Sequence, residues 1–146
     1  MFLEKYYQKM KEAESYLDLS DIAIEILSGM PQPVSMVSGP ISSGGRGSIK
    51  ENLSELKRVV SDLKEKGDVI FDNLSFEEHI SRIRSSQSNL SKEESNQILL
   101  EEFYGPIFDS GFIKRIFFLP DWESSQGASW EHGKAEELDM DIVHLD

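Results

Sequence analysis

Residues 34–71 carry the pattern that most restricts how this chain can fold. Val34-Ser35-Met36-Val37 is a short apolar run that predicts a strand. Ser38-Gly39-Pro40-Ile41-Ser42-Ser43-Gly44-Gly45-Arg46-Gly47 follows as a loop. Ser48-Ile49-Lys50-Glu51 fits a capping box, with serine at the N-cap and glutamate three residues later. Ile49, Leu53, Leu56, Val59, Val60 and Leu63 then recur at helical spacing until Gly67, and Asp68-Val69-Ile70-Phe71 reads as a second strand. A strand–loop–helix–strand unit of this kind is right-handed and sets its two strands parallel.

The rest of the chain extends that plan. Arg115-Ile116-Phe117-Phe118-Leu119, closed by Pro120, predicts a buried strand, and residues 141–145 a last one. Helices are expected over 76–84, from the Leu90-Ser91…Glu94 capping pattern to about Phe103, and over 127–138. Pro106 predicts a break after that second helix, because it lacks an N–H and clashes with the preceding turn. Strands alternating with helices give an α/β domain with a mostly parallel sheet of four to five strands. Before it, Leu3, Tyr6, Tyr7, Met10, Ala13 and Leu17 mark one helix face, and Ser20-Asp21 looks like the N-cap of a second helix ending near Gly29 and Pro31. The expected division is a helical N-terminal extension over 1–33 and the α/β domain over 34–146. Tyr6, Tyr7, Met10 and Tyr16 are too apolar to leave in solvent, so these helices are expected to pack on the domain or on a second copy.

Charge and composition exclude several classes of function. Lys and Arg total 15 against 27 Asp and Glu, a net charge of −12. That argues against a binder of polymeric nucleic acid, which needs a basic stripe to displace counterions. There is no cysteine, so disulfides and thiolate metal sites are out. His79, His132 and His144 show no ligand spacing, and no metal or cofactor is expected; His132 reads as a surface residue. The N-terminus runs at once into charged residues, and no apolar run reaches the roughly 18–20 residues of a membrane span. A cytoplasmic protein is the expectation.

Open parallel sheets bind ligands at the carboxyl ends of their strands, which draws attention to residues 38–48 and 121–131. The first segment offers backbone N–H groups, hydroxyls (Ser38, Ser42, Ser43) and one cation, Arg46, before a helix N-terminus. Such a loop can cradle a phosphate or sugar or be a plain surface loop. The second contains Glu131, expected in the first turn of its helix, where the dipole and nearby N–H donors favour an ionised carboxylate. Gly133 inside that helix suggests close packing on the sheet. Trp122 and Trp130 are each a candidate to stack on a base or to pack the core.

Ser38-Gly39-Pro40-Ile41, joined to Leu119-Pro120-Asp121-Trp122-Glu123-x-Ser-x-Gly127-Ala128-x-x-Glu131-x-x-x-Ala135, resembles the nucleoside 2-deoxyribosyltransferase-like superfamily over roughly residues 34–145. The likeness is greatest to a branch of small bacterial and phage proteins without an assigned activity. It implies a three-layer, flavodoxin-like, Rossmann-like sandwich, and a dimer or larger homo-oligomer. It also implies N-glycosidic bond chemistry on a nucleoside or nucleotide, as a deoxyribosyltransferase or an N-glycoside hydrolase. Glu131 falls on the nucleophile, and Asp72 and Asp109 are the acids nearest the family's acidic positions. Ser38, Gly39, Pro40, Ser42, Ser43, Gly44, Arg46, Trp122, Ser125 and Gly127 are the expected ligand contacts. Two positions depart from the pattern: Met36 stands where the enzymes tend to carry a tyrosine, and Lys114 where they carry an acid. The alternatives are a nucleotide-binding or sensing module without turnover, and a protein-interaction domain.

Overall fold

The computed structural model describes residues 4–41, 44–87 and 89–146. Ser42 and Ser43 therefore lie outside the described residues. The fold is α/β. Three parallel strands, β1 (Val34–Ser38), β2 (Ile113–Phe118) and β3 (Asp141–His144), form one sheet in the order β1-β2-β3.

The sheet has three strands rather than the expected four to five. Residues 68–71 make only one bridge, Ser35 with Ile70, on the free edge of β1. Ser35 N–H donates to Val69 O and Phe71 N–H to Ser35 O, both at 2.8 Å. The segment is cut short from both sides. Gly67 turns the chain at φ +100 just before it, and Asp72 opens a 3-10 turn over Asn73–Phe76 just after. The chain thus visits one side of β1 at Ile70 and the other side at β2, so its direction across the sheet reverses at β1.

Helices cover both faces. On one, α3 (Ile49–Glu65) buries Leu56, Val59, Val60 and Leu63 against Val37, Phe117 and Leu119. Ser48 caps it, accepting from Glu51 N–H. On the other face, Met36, Ile116 and Phe118 share one core with residues of α1 (Glu4–Glu12), α2 (Tyr16–Ser28), α4 (Glu77–Ser85) and α6 (Gly105–Asp109). The N-terminal helices thus belong to the main core: Tyr6, Met10, Tyr16, Leu19, Ile22 and Leu27 are buried with the sheet residues. Tyr7 and Leu17 of the expected face nevertheless stay exposed, contrary to the expectation for Tyr7, and Leu3 lies outside the described residues. The cap of α2 is Ser15, not Ser20. Ser20 lies inside the helix, buried, its hydroxyl donating to Phe103 O at 2.9 Å.

Each buried side chain of this kind contributes about 1.5–3 kcal/mol. A chain starting at Gln32 loses all of those from α1 and α2 and is expected to lose its cooperative thermal transition by circular dichroism. A sharp transition near the full-length midpoint would show the division at residue 33 to be a folding boundary after all.

Pro106 does not break the helical path. α5 (Lys92–Leu99) continues through a π-turn over Leu100–Tyr104 into α6. Gly105 N–H reaches Leu100 O, five residues back, and Pro106 sits in the first turn of α6, where a missing N–H costs little. No helix among the described residues is long and apolar enough to cross a membrane.

Candidate functional site

β1 and β2 end side by side, and α7 (Gln126–Glu137) starts just beyond them. Ser125 caps α7, its hydroxyl accepting from Ala128 N–H at 3.1 Å. The buried side chains of α7 are Ala128, Glu131 and Ala135, one face at steps of three and four, so small residues bring that face close and a carboxylate stands among them. Gly133 is not part of this approach, since a Cβ there would meet nothing within 4 Å.

Glu131 is 6% exposed. Ser38 Oγ at the end of β1 donates to its Oε1 at 2.8 Å, and its Oε2 is buried without a hydrogen-bond partner. It is the sixth residue of α7, in the second turn, beyond the N–H groups that were expected to hold it ionised. Burial pushes its carboxyl up to about 8, the Glu77 carboxylate adds to this, and the Ser38 hydrogen bond offsets part of it.

Beside Glu131 lies a cavity of about 60 Å³. Gly39, Ile41, Ser125, Gly127 and Ala128 line it from the strand-end loops and α7. Glu77 and Arg84 come from α4, Asn96 and Leu99 from α5, and Leu100 and Tyr104 from the π-turn. Arg84 Nε and Asn96 Oδ1 are, like Glu131 Oε2, buried without partners. Burial raises the Glu77 carboxyl, and the charge of Arg84 pulls it partly back. Tyr104 hydroxyl accepts from Asn73 Nδ2 at 3.1 Å. Burial, then the charges of Glu131 and Glu77, push its pKa well above the usual tyrosine value.

Of the residues expected from sequence, Ser38, Gly39, Ser125, Gly127 and Glu131 come together here. The two expected acids do not. Asp109 is exposed at the end of α6 and pairs with Lys134 at 3.2 Å. Asp72 lines a separate cavity with Ile26, Met30 and Phe76. Trp122 lies outside the cavity, stacked on His132 at 4.1 Å and 4° and tilted against Phe118. His132 is accordingly packed rather than on the surface, its side chain 14% exposed and its Nε2 2.9 Å from that of His144. Trp130 packs against Phe108.

The Gly-rich loop is also closed to a phosphate at the points described. Gly45 N–H donates to Ser124 Oγ at 2.8 Å, and Arg46 N–H to Asn52 Oδ1 at 2.9 Å. Asn52 Nδ2 donates to Ile41 O and Gly44 O. Gly44 has φ +69, and a Cβ there would stand 2.1 Å from Ser124 O, so only glycine lets the two loops meet. Pro40 is buried in this contact, a Cβ on Gly45 coming within 2.6 Å of it. The Arg46 guanidinium points to Glu55 at 3.1 Å and lines a different groove, with Arg58 and Asp121. Arg46→Ala is therefore expected to leave the affinity for a nucleoside monophosphate within about two-fold by calorimetry. A larger loss would return the phosphate to this loop.

Glu77, Arg84, Asn96 and Tyr104 were missed in the sequence. A signal existed: Glu77, Ile80 and Arg84 stand at i, i+3 and i+7, which puts two charges on the buried stripe of α4. Comparison with protein-family models, with characterised proteins and with solved structures gives no match to this chain.

Proposed function

We propose that the Glu131 cavity binds the sugar of a nucleoside or nucleotide and that the protein breaks its N-glycosidic bond. The observation that carries this reading is a buried carboxylate at the carboxyl ends of β1 and β2 with one oxygen held by Ser38 and the other unpartnered, beside a second carboxyl, Glu77. The reversal of strand order at β1 supports it, because open α/β sheets bind ligands at such a point, and it supports a flavodoxin-like arrangement. The resemblance of residues 38–41 and 119–135 to the deoxyribosyltransferase-like superfamily supports it independently.

The chemistry follows retaining glycosidases, with one carboxylate as nucleophile and another as acid and base. Glu131 Oε2 forms a bond to C1′ as the C1′–N bond breaks, and its electron pair leaves with the base. The Glu77 carboxyl gives that nitrogen its proton. Glu77 then takes a proton from water, whose oxygen attacks C1′ and frees the Glu131 carboxylate. A second base in place of water makes the same sequence a transfer. Glu77 takes the role expected of Asp72 and Asp109.

One observation favours a second reading, a binding module without turnover. With its carboxyl held at about 8, Glu131 is mostly protonated at pH 7 and serves as a hydrogen-bond donor to a sugar hydroxyl.

A thermal-shift screen of nucleosides and nucleotides tests both, since a ligand at 100 times its dissociation constant adds about 2.7 kcal/mol. A shift with release of free base supports the enzyme, and a shift without release supports the binding module. No shift with any member of the screen refutes both.

A further inference from the structure

Among the described residues, three buried polar atoms of the cavity have no partner: Glu131 Oε2, Asn96 Oδ1 and Arg84 Nε. These are two side-chain oxygens and one obligate donor, since an arginine Nε–H has no acceptor capacity. The Asn96 amide is oriented by its other end, because Nδ2 donates to Gln126 Oε1 at 3.3 Å. Its Oδ1 is thereby left as an acceptor in a side chain 6% exposed. Beside the further polar side chains of Glu77, Tyr104 and Ser125, the lining has an apolar part, Ile41, Leu99, Leu100 and Ala128. A buried acceptor and a buried donor that lack each other as partners call for a ligand group that donates and accepts at once. A hydroxyl does both, and the apolar part of the lining suits the C–H face of a sugar ring.

Resting on the reading of Glu131 as the residue that meets C1′, we infer that the site selects a ribosyl over a 2-deoxyribosyl compound. The 2′-hydroxyl accepts from Arg84 Nε–H and donates to Asn96 Oδ1. It is the hydroxyl on the carbon next to the anomeric centre, hence the one a carboxylate at C1′ has beside it, and glycosidases use that hydroxyl in the transition state. A 2′-deoxy sugar leaves both protein atoms buried and unpaired. Sites built around a substrate hydroxyl reject the analogue that lacks it far more strongly than apolar pockets reject an extra group.

The test is a panel of matched ribo- and 2′-deoxyribonucleosides of the four common bases, measured by calorimetry on the full chain. In each pair that binds, the ribonucleoside is expected to bind about ten-fold tighter or more. Asn96→Ala and Arg84→Met, each checked for a wild-type circular dichroism spectrum, are expected to weaken the ribonucleoside and leave its deoxy partner nearly unchanged, shrinking the preference. Deoxynucleosides that bind wild type as well as their ribo partners overturn the inference and leave the nucleoside site standing. A wild-type preference that persists in both variants overturns the assignment to Asn96 and Arg84. A panel in which nothing binds removes the nucleoside site itself, and this inference with it. Should either variant fail to fold, the wild-type pairs still decide.

Discussion

Glu131→Gln is expected to make the protein more stable at pH 8 and to change little at pH 4. The carboxyl has an ordinary value of 4.5 and stands at about 8 in the folded chain. Between those values the folded state holds a proton that the unfolded state has released. Stability is then full below about pH 4.5, falls by about 1.4 kcal/mol per pH unit above it, and levels off above about pH 8. The sum over that window is roughly 5 kcal/mol, an upper figure because Glu77 titrates beside it. Glutamine copies the neutral acid: its carbonyl still accepts from Ser38, and it never ionises. At about 2–4 °C per kcal/mol for a chain of this length, the variant should melt about 10 °C higher at pH 8. The gap should close as the pH falls toward 4.5. Wild type and variant melting alike across that range would mean that the carboxylate is solvated or paired in solution, contrary to the geometry described.

The same substitution should remove turnover. If Glu131 attacks C1′, Glu131→Gln lowers kcat/KM for base release by about 10³-fold or more, each tenfold being about 1.4 kcal/mol of transition-state stabilisation. The reactive form holds Glu131 ionised and Glu77 protonated, so wild-type kcat/KM should follow a bell in pH and fall once both carboxyls are ionised. Glu77→Gln should cost about 10²–10⁴-fold, and least for nucleosides whose base leaves readily without a proton. Ribonucleoside affinity should survive Glu131→Gln to within a few-fold, since the amide still bonds a hydroxyl. A variant that keeps wild-type turnover would move the nucleophile elsewhere.

What was legible in the sequence lay where local pattern and position coincide. The unit over 34–71 and the strand at 115–119 fix two strand ends, and the rule for open sheets then points to Ser38, Gly39, Ser125, Gly127 and Glu131, which do share one cavity. Residues 68–71 misled because a β-rich run says nothing of how much edge remains once Gly67 and the turn at Asn73 take their share. Asp72 and Asp109 were chosen by nearness to strands, yet the cavity wall opposite Glu131 comes from α4, α5 and the π-turn. Their placement over the sheet is set by tertiary packing of Ile80, Phe103 and Ile107, not by spacing along the chain. The Gly-rich loop is less open at its described residues than its sequence suggests, for a related reason. Backbone N–H groups count as free in a sequence, but here Ser124 already takes that of Gly45 and Asn52 that of Arg46.

The π-turn at Leu100–Tyr104 sets the phase between two stretches of one continuous helical path. Such a turn holds one residue more than the α-helical ladder would, and each residue advances a helix by about 100°. Loss of a single residue there would restore a regular helix and swing α5 by roughly that angle relative to α6. Asn96 and Leu99 would leave the cavity wall, while Ile107 and Phe108 stayed in the core. A deletion here thus differs in kind from a substitution, because it changes the phase of a whole helix rather than one side chain. Chains descended from the same ancestor with a one-residue gap between positions 99 and 105 would carry the fold without this cavity wall, and the gap alone would tell them apart.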